Sequence, residues 1–139
     1  MIKKLLFFVF LFFMTLSLCA CDKEEHSRIL FNKHPFTQDT ILSNDFTFET
    51  GKRVYYLIIL PQPVEKRRLF ITITKIGGGE ALYLGHELVW SKNIKLKDEQ
   101  KYYYTDYFVI SEKGTYDMNV YSRDNPTQIL SSARFTIKD

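Results

Sequence analysis

The sequence is poor in cysteine, with two in 139 residues. Cys19 and Cys21 lie one residue apart, where an apolar run gives way to a charged one. Residues 22–139 contain no thiol, so no disulfide can brace them and a hydrophobic core must hold them together. Because thiolates are preferred zinc ligands, this absence also argues against a zinc site.

Catalytic and ligand-binding motifs are scarce as well. The three histidines share no metal-binding spacing: they are His26, His34 and His86. No Gly-x-Ser-x-Gly sequence occurs, and Gly77-Gly78-Gly79 leads to Glu80 instead of a Lys-Ser or Lys-Thr pair, which indicates a strand connection. The acids Glu80, Glu87 and Asp106 would suit glycoside hydrolysis only if the fold paired two of them, and solvated surface acids are the simpler explanation. The sequence thus predicts no catalysis, metal or other cofactor.

Helical periodicity is missing too, and short alternating segments take its place. The predicted strands are FTFE (46–49), VYYLIIL (54–60), LFITIT (69–74), ALYL (81–84), ELVW (87–90), IKLK (94–97), YYYTDYFVI (102–110), TYDMNVYS (115–122) and ARFTIK (133–138). The unbroken run VYYLIIL is typical of a central strand, and LFITIT predicts that Leu69, Ile71 and Ile73 are buried. This pattern predicts an all-β domain over residues 45–139, an immunoglobulin-like antiparallel β-sandwich of about seven or eight strands.

One pattern near the end of the chain carries more detail. The sequence F-x-I-x-x-x-G-x-Y-x-M-x-V, from Phe108 to Val120, resembles the penultimate strands of immunoglobulin-like domains. In those domains a tyrosine after a glycine turn often caps the corner between the sheets. The resemblance implies this role for Tyr116 and implies no function.

The amino-terminal segment indicates export. Lys3 and Lys4 precede the ten apolar residues 5–14, and a short run ending in small residues follows. A membrane span needs about 20 apolar residues, so residues 1–20 are predicted to be a signal peptide, with an uncut signal anchor as the alternative. Loss of the two lysines would leave 17 basic against 16 acidic residues. This small net charge gives no strong positive potential that would attract nucleic acid.

The end of this segment, Leu18-Cys19-Ala20-Cys21, resembles the lipobox of bacterial lipoproteins. The resemblance implies that the signal is cut before Cys21 and that the thiol of Cys21 carries diacylglycerol, with palmitate among the acyl chains. Cys19 stands where Ala or Ser is commoner and would be discarded with the signal. Residues 21–44 would then form a lipidated tether and an irregular lead-in. Stable anchoring requires more than one acyl chain, and diacylglycerol supplies two.

The residues after Cys21 bear on which membrane holds the protein. Lys23-Glu24-Glu25 is similar to surface-export signals of Bacteroidetes lipoproteins, whereas Asp22 resembles an inner-membrane retention signal of enteric bacteria. A solvated charged tether is the plainer explanation. We expect a lipid-anchored protein of the cell envelope, at the outer membrane or the cell surface.

Two groups of residues are candidates for binding. Lys66, Arg67 and Arg68 follow a proline-rich loop, and we predict that this basic loop contacts the partner. It would bind an acidic protein or phospholipid head groups, and a solvated charge run is the alternative. The lone Trp90 with Tyr102, Tyr103 and Tyr104 could form an aromatic platform for sugar or protein. The favoured interpretation of Trp90 is nevertheless a core residue.

The ending of the chain resembles the gliding-motility lipoprotein H family of the Bacteroidetes. The resemblance rests on Gly114-Thr115-Tyr116, Arg123-Asp124-Asn125-Pro126 and Ile129-Leu130, while residues 61–68 depart from the family's central segment. It implies a part of a gliding or secretion assembly in the envelope. We therefore expect a non-catalytic module that binds an envelope protein. An inhibitor or immunity lipoprotein, with residues 61–68 as its blocking loop, and a glycan-binding surface module are the alternatives.

Overall fold

The computed structural model describes residues 26–77, 86–125 and 127–139. The lipobox, the predicted strand ALYL and Gly78-Gly79 lie outside the described residues. No helix in the described ranges is long and apolar enough to cross a membrane. The elements are β1 (Arg28–Asn32), β2 (Thr47–Glu49), β3 (Arg53–Ile59), β4 (Arg68–Ile76), β5 (His86–Lys95), a 3-10 turn (Asp98–Gln100), β6 (Tyr103–Val109), β7 (Gly114–Ser122) and β8 (Ile129–Lys138).

The strands form two sheets, as the sequence predicts. One has three strands in the order β1-β3-β6, and the other has five in the order β2-β8-β7-β4-β5. All pairings are antiparallel except that of β2 with β8, which is parallel. The all-β sandwich is confirmed, and the short β2 is the departure from a wholly antiparallel arrangement.

The core lies between the sheets and follows from the period-two alternation of side chains. Leu69, Ile71 and Ile73 are fully buried, as their alternation with polar neighbours predicts. Both sheets contribute aromatic rings: the centroids of Phe31 and Phe135 are 5.0 Å apart. Each large side chain buried in this way contributes about 1.5–3 kcal/mol, so the core can stabilise the domain without a disulfide.

The first strand corrects the predicted boundary between lead-in and sandwich. Residues 28–32 lie within the segment 21–44 predicted to be irregular, yet they pair with β3 along their whole length. The outer edge of β1 is capped by the following turn: the Phe31 N–H donates to Asn44 Oδ1 at 2.9 Å, and the Asp45 N–H donates to the Phe31 carbonyl at 2.9 Å. The sandwich therefore begins at Arg28.

The segments ELVW and IKLK, predicted as separate strands, largely merge into the ten-residue strand β5. The register against β4 shifts between Ile73 and Thr74, where Val89 is the extra residue of β5. A bulge of this kind bends an edge strand and discourages further pairing.

The corner role predicted for Tyr116 is confirmed. Its side chain is fully buried, and its hydroxyl donates to the Glu112 carbonyl at 2.7 Å. The bond ties the start of β7 to the turn that precedes it.

Candidate functional site

The predicted basic run does not form one free loop. Lys66 is exposed, and its backbone N–H donates to Asp124 Oδ2 at 3.0 Å. Arg67 has a left-handed φ of 52° and forms an ion pair with Asp98. Arg68 is already the first residue of β4. Within the described ranges Lys66 and Arg68 have no ion-pair partner, so they are the exposed charges of the run.

The predicted aromatic platform does not form one surface either. Trp90 is half-buried on β5, with its ring centroid 6.4 Å from Tyr56 and 6.0 Å from Phe108. Tyr104 packs against the same core, 6.2 Å from Tyr56. Tyr102 is exposed in the turn before β6. Trp90 packs as its core interpretation predicts, and of the four residues Tyr102 and Tyr103 are exposed, at 55% and 46%.

A polar cluster closes the side of the sandwich where β5 and β6 are edge strands. Asp106 accepts an ion-paired hydrogen bond from Lys92 Nζ and a bond of 3.1 Å from the Tyr104 hydroxyl. The Tyr107 N–H adds a bond of 2.9 Å. Burial raises the pKa of Asp106, but these hydrogen bonds outweigh it and hold the pKa below its usual value.

This arrangement makes Asp106 an ionised structural carboxylate rather than an acid poised to donate a proton. The Tyr56 hydroxyl, close to Tyr104, is buried without a hydrogen-bond partner in the described part of the chain. Burial raises the pKa of Tyr56, so its phenol stays neutral. Among the described residues no three His, Cys, Asp or Glu side chains are placed to hold a metal ion.

The outer surface of the three-stranded sheet, here called the aromatic face, is the candidate binding site. Alternation directs these side chains away from the core: Arg28, Leu30, Asn32, Arg53, Tyr55, Leu57, Ile59, Tyr103, Thr105, Tyr107 and Val109. Seven of them are apolar or aromatic, and none carries a carboxylate. Tyr103, Tyr107 and Val109 are 46%, 41% and 46% exposed.

Two contacts organise the centre and one end of the aromatic face. Leu57 is 4% exposed although it lies outside the core cluster, because its neighbours on the three strands cover it. The Arg53 guanidinium lies 4.5 Å above the centroid of the Tyr107 ring. The Tyr55 ring centroid is 5.8 Å from that of Tyr107. These contacts hold large rings in place before any partner arrives, which reduces the entropy lost on binding.

A groove of about 280 Å³ adjoins the Arg53 end of the aromatic face. Its lining residues are Lys33, His34, Phe48, Glu49, Lys52, Arg53 and Tyr55. Three cations stand there against one carboxylate. This edge of the face therefore suits carboxylates on a partner.

The alternation of residues in β6 already indicates the aromatic face in the sequence, although no binding motif marks it. In YYYTDYFVI the residues Tyr103, Tyr107 and Val109 share one face, while Tyr104 and Phe108 share the other. An edge strand with aromatic residues on both faces, beside the unbroken run of β3, indicates a second aromatic surface outside the core.

Comparison with known proteins identifies no family for this chain. No protein-family model matches the sequence, and no curated protein matches it. Among solved structures, the PmoD soluble domain from a Methylocystis species is similar at 16% identity and a TM-score of 0.48, covering 81% of this chain and 90% of that chain. An uncharacterized Bacillus anthracis protein is similar at 13% identity and a TM-score of 0.46, covering 68% and 77%.

A β-glucosidase from Listeria innocua is similar at 8% identity and a TM-score of 0.43. The match covers 81% of this chain but 16% of the enzyme. The values for all three structures are too low to bear on function.

Proposed function

We propose that the chain is a lipid-anchored envelope protein that binds a protein partner through the aromatic face and performs no catalysis. The observation that carries this proposal is the exposure of Tyr103, Tyr107 and Val109 on a sheet surface without carboxylates. Contiguous apolar surface of this kind is uncommon on monomeric proteins without a binding role. Tyrosine and arginine are also the residue types enriched at binding hot spots.

The charges of the face specify the partner's chemistry. Arg28 and Arg53 stand on the face, and the groove beside Arg53 adds further cations. A partner with an apolar centre and carboxylates opposite Arg53 would complement it. A second copy of this chain would bring cations against cations, so the proposal commits to a different, acidic protein.

The anchor is proposed on Cys21. Its support is the lipobox Leu18-Cys19-Ala20-Cys21 together with the fixed point from which the tether leaves the sandwich. Ser131 Oγ donates to the Ser27 carbonyl at 3.0 Å, which holds the start of the described chain against β8. Cys21→Ser should abolish labelling by radioactive palmitate and release the protein from membranes. Retention of the variant after a carbonate wash would instead favour an uncut signal anchor.

The partner-binding proposal is tested by a photoreactive residue at Tyr107, with Ser132 on the outer face of the five-stranded sheet as the matched position. We expect a defined protein to be crosslinked from position 107 and not from position 132. Once purified, that protein should bind the Tyr103→Glu variant at least about tenfold more weakly than it binds the wild-type chain. Ser132→Glu, which adds the same charge, should leave the affinity unchanged.

Other outcomes identify the rivals. If position 107 crosslinks to a second copy of the chain and sedimentation shows a dimer, the aromatic face mediates self-association and does not bind a different protein. Equal crosslinking from both positions would overturn the aromatic face as the binding surface. Binding of purified envelope glycans that is lost in Tyr103→Glu would support a glycan-binding module, with Tyr103 and Tyr107 in the role first given to Trp90, Tyr102 and Tyr104.

A further inference from the structure

One end of the sandwich, here called the tether end, gathers the start of the described chain and three loops. Strand pairing fixes this arrangement, since Arg28 lies opposite Ile59, and Ile59 lies opposite Tyr103. The loops of residues 60–67, 96–102 and 123–128 meet there. The Leu60 N–H donates to the Tyr102 carbonyl at 2.8 Å, and Leu96 and Arg123 bond to the carbonyls of Arg67 and Arg68.

The tether end is electropositive. Its basic residues are Arg28, Lys66, Arg67, Arg68, Lys95, Lys97, Lys101 and Arg123, and its acidic residues are Glu65, Asp98, Glu99 and Asp124. Eight cations against four carboxylates leave an excess of four positive charges.

The opposite end is balanced in its described residues. Its basic residues are Lys33, Lys52, Arg53, Lys75, Lys113 and Lys138, and its acidic residues are Asp39, Asp45, Glu49, Glu87, Glu112 and Asp139. Six cations against six carboxylates cancel. The net charge of residues 21–139 is nevertheless only +1, because residues 22–25 (Asp-Lys-Glu-Glu) sum to −2 and Glu80 adds −1. The described sandwich itself is polarised along its strands.

Three cations at the tether end are placed against one another. Arg68 and Lys95 are directly opposite each other across β4 and β5. The Arg123 N–H donates to the Arg68 carbonyl at 2.9 Å, which brings a third cationic residue alongside. None of the three has an ion-pair partner in the described ranges. The Arg123 guanidinium stacks 5.6 Å above the centroid of the Phe70 ring. Like charges in directly opposite positions destabilise a sheet, so an anionic surface would relieve the repulsion between Arg68 and Lys95.

We propose that the tether end docks on anionic lipid head groups through Arg68, Lys95 and Arg123. This proposal rests on the proposed lipid anchor, because Cys21 is five residues from His26 and that span reaches at most about 17 Å. A lipid on Cys21 thus holds the tether end next to a membrane and holds the opposite end away from it. Each cation near an anionic surface strengthens binding severalfold. The strands then run outward from the membrane, and the aromatic face is open along its side.

The experiment uses the chain from Asp22, which contains all eight strands and the core but no site for lipid. The probe is co-sedimentation with vesicles of phosphatidylcholine alone, and with vesicles of phosphatidylcholine and phosphatidylglycerol in equal parts. We expect binding to the mixed vesicles only, and we expect it to fall as salt is raised. The variant Arg68→Glu/Lys95→Glu/Arg123→Glu should bind at least about tenfold more weakly.

The control Lys33→Glu/Lys52→Glu/Lys138→Glu makes the same change in net charge at the opposite end and should bind like wild type. All six side chains are exposed, so both variants should keep the wild-type melting temperature. Equal losses of vesicle binding in the two variants would show that net charge alone drives the binding, and would contradict docking through the tether end. Failure of the wild-type chain to bind the mixed vesicles would also overturn it. Palmitate labelling at Cys21 is measured separately, so failure of the anchor is distinguishable from failure of docking.

Discussion

The outer surfaces of the two sheets differ in how much apolar and aromatic surface they present. The aromatic face of the three-stranded sheet carries seven apolar or aromatic residues among eleven. The five-stranded sheet presents mostly hydroxyls, amides and paired charges, among them Thr72, Thr74, Thr115, Asn119, Ser132 and Thr136. Its outward aromatic pair is Phe70 and Tyr121, with ring centroids 6.1 Å apart. On that sheet Arg134 donates to both carboxylate oxygens of Asp117, at 2.8 and 3.0 Å.

The difference distinguishes side chains that stabilise the fold from side chains that are free to contact a partner. The five-stranded sheet satisfies its outward polar groups with water and with one another, as an antiparallel sheet with one solvated face does. The three-stranded sheet leaves aromatic surface in water without any gain for the core. This exposed aromatic surface is the ground on which a partner is proposed for the aromatic face.

The largest predicted effect contrasts the inner and outer positions of the five-stranded sheet. Ile71 is fully buried at the centre of β4, so Ile71→Ala should lower the free energy of unfolding by about 2–5 kcal/mol. Thr72 is the next residue and points outward, so Thr72→Ala should cost under about 1 kcal/mol. Chemical denaturation measures both values. Equal costs would contradict the assignment of the two faces.

The next prediction asks whether the aromatic face also supports the fold. Leu57 points outward like Thr72, and neighbours cover both: Leu57 is 4% exposed and Thr72 is 9% exposed. Leu57 is the larger apolar side chain of the two. Leu57→Ala should therefore cost about 1–2 kcal/mol, less than a core truncation because the gap opens to water. Denaturation of Leu57→Ala beside Thr72→Ala measures the difference. A cost no greater than that of Thr72→Ala would mean that the neighbours of Leu57 do not hold it in place.

Strand alternation made the core predictable, and local patterns failed where long-range pairing decided the outcome. Leu69, Ile71 and Ile73 were identifiable because a period of two places them on one side. Residues 28–32 were predicted to be irregular because RILFN is short and its pairing with β3 lies more than twenty residues ahead. Residue type alone groups Trp90 and Tyr104 with Tyr102. Trp90 and Tyr104 nevertheless lie on the inward side of their strands, so they pack against the core.

The third prediction concerns the polar cluster that joins the two sheets at their edges. Asp106→Asn should cost about 1–2 kcal/mol at neutral pH, because Lys92 loses its ion pair. The pKa of folded Asp106 is lowered, so its contribution is complete above the unfolded value of about 3.9 and is lost as pH falls through the folded value. Unfolding measured against pH should show wild type and variant converging below about pH 4. A constant difference at all pH values would contradict the ionised pair.

The smallest effects come from two buried tyrosines, one in each sheet, which serve as controls for each other. Tyr116 on β7 donates its hydroxyl to the Glu112 carbonyl at 2.7 Å, whereas the Tyr56 hydroxyl on β3 has no partner in the described part of the chain. Both side chains are fully buried, so replacement by phenylalanine changes only the hydroxyl. Tyr116→Phe should cost about 1 kcal/mol, because the hydrogen bond is lost and the carbonyl is left without a donor. Tyr56→Phe should be neutral or stabilising by up to about 1 kcal/mol, because it removes a polar atom that burial strips of water. Thermal unfolding of the two variants decides the matter. A loss of stability in Tyr56→Phe as large as that in Tyr116→Phe would show that the Tyr56 hydroxyl has a bonding partner, with the nearby Tyr104 hydroxyl the first to test.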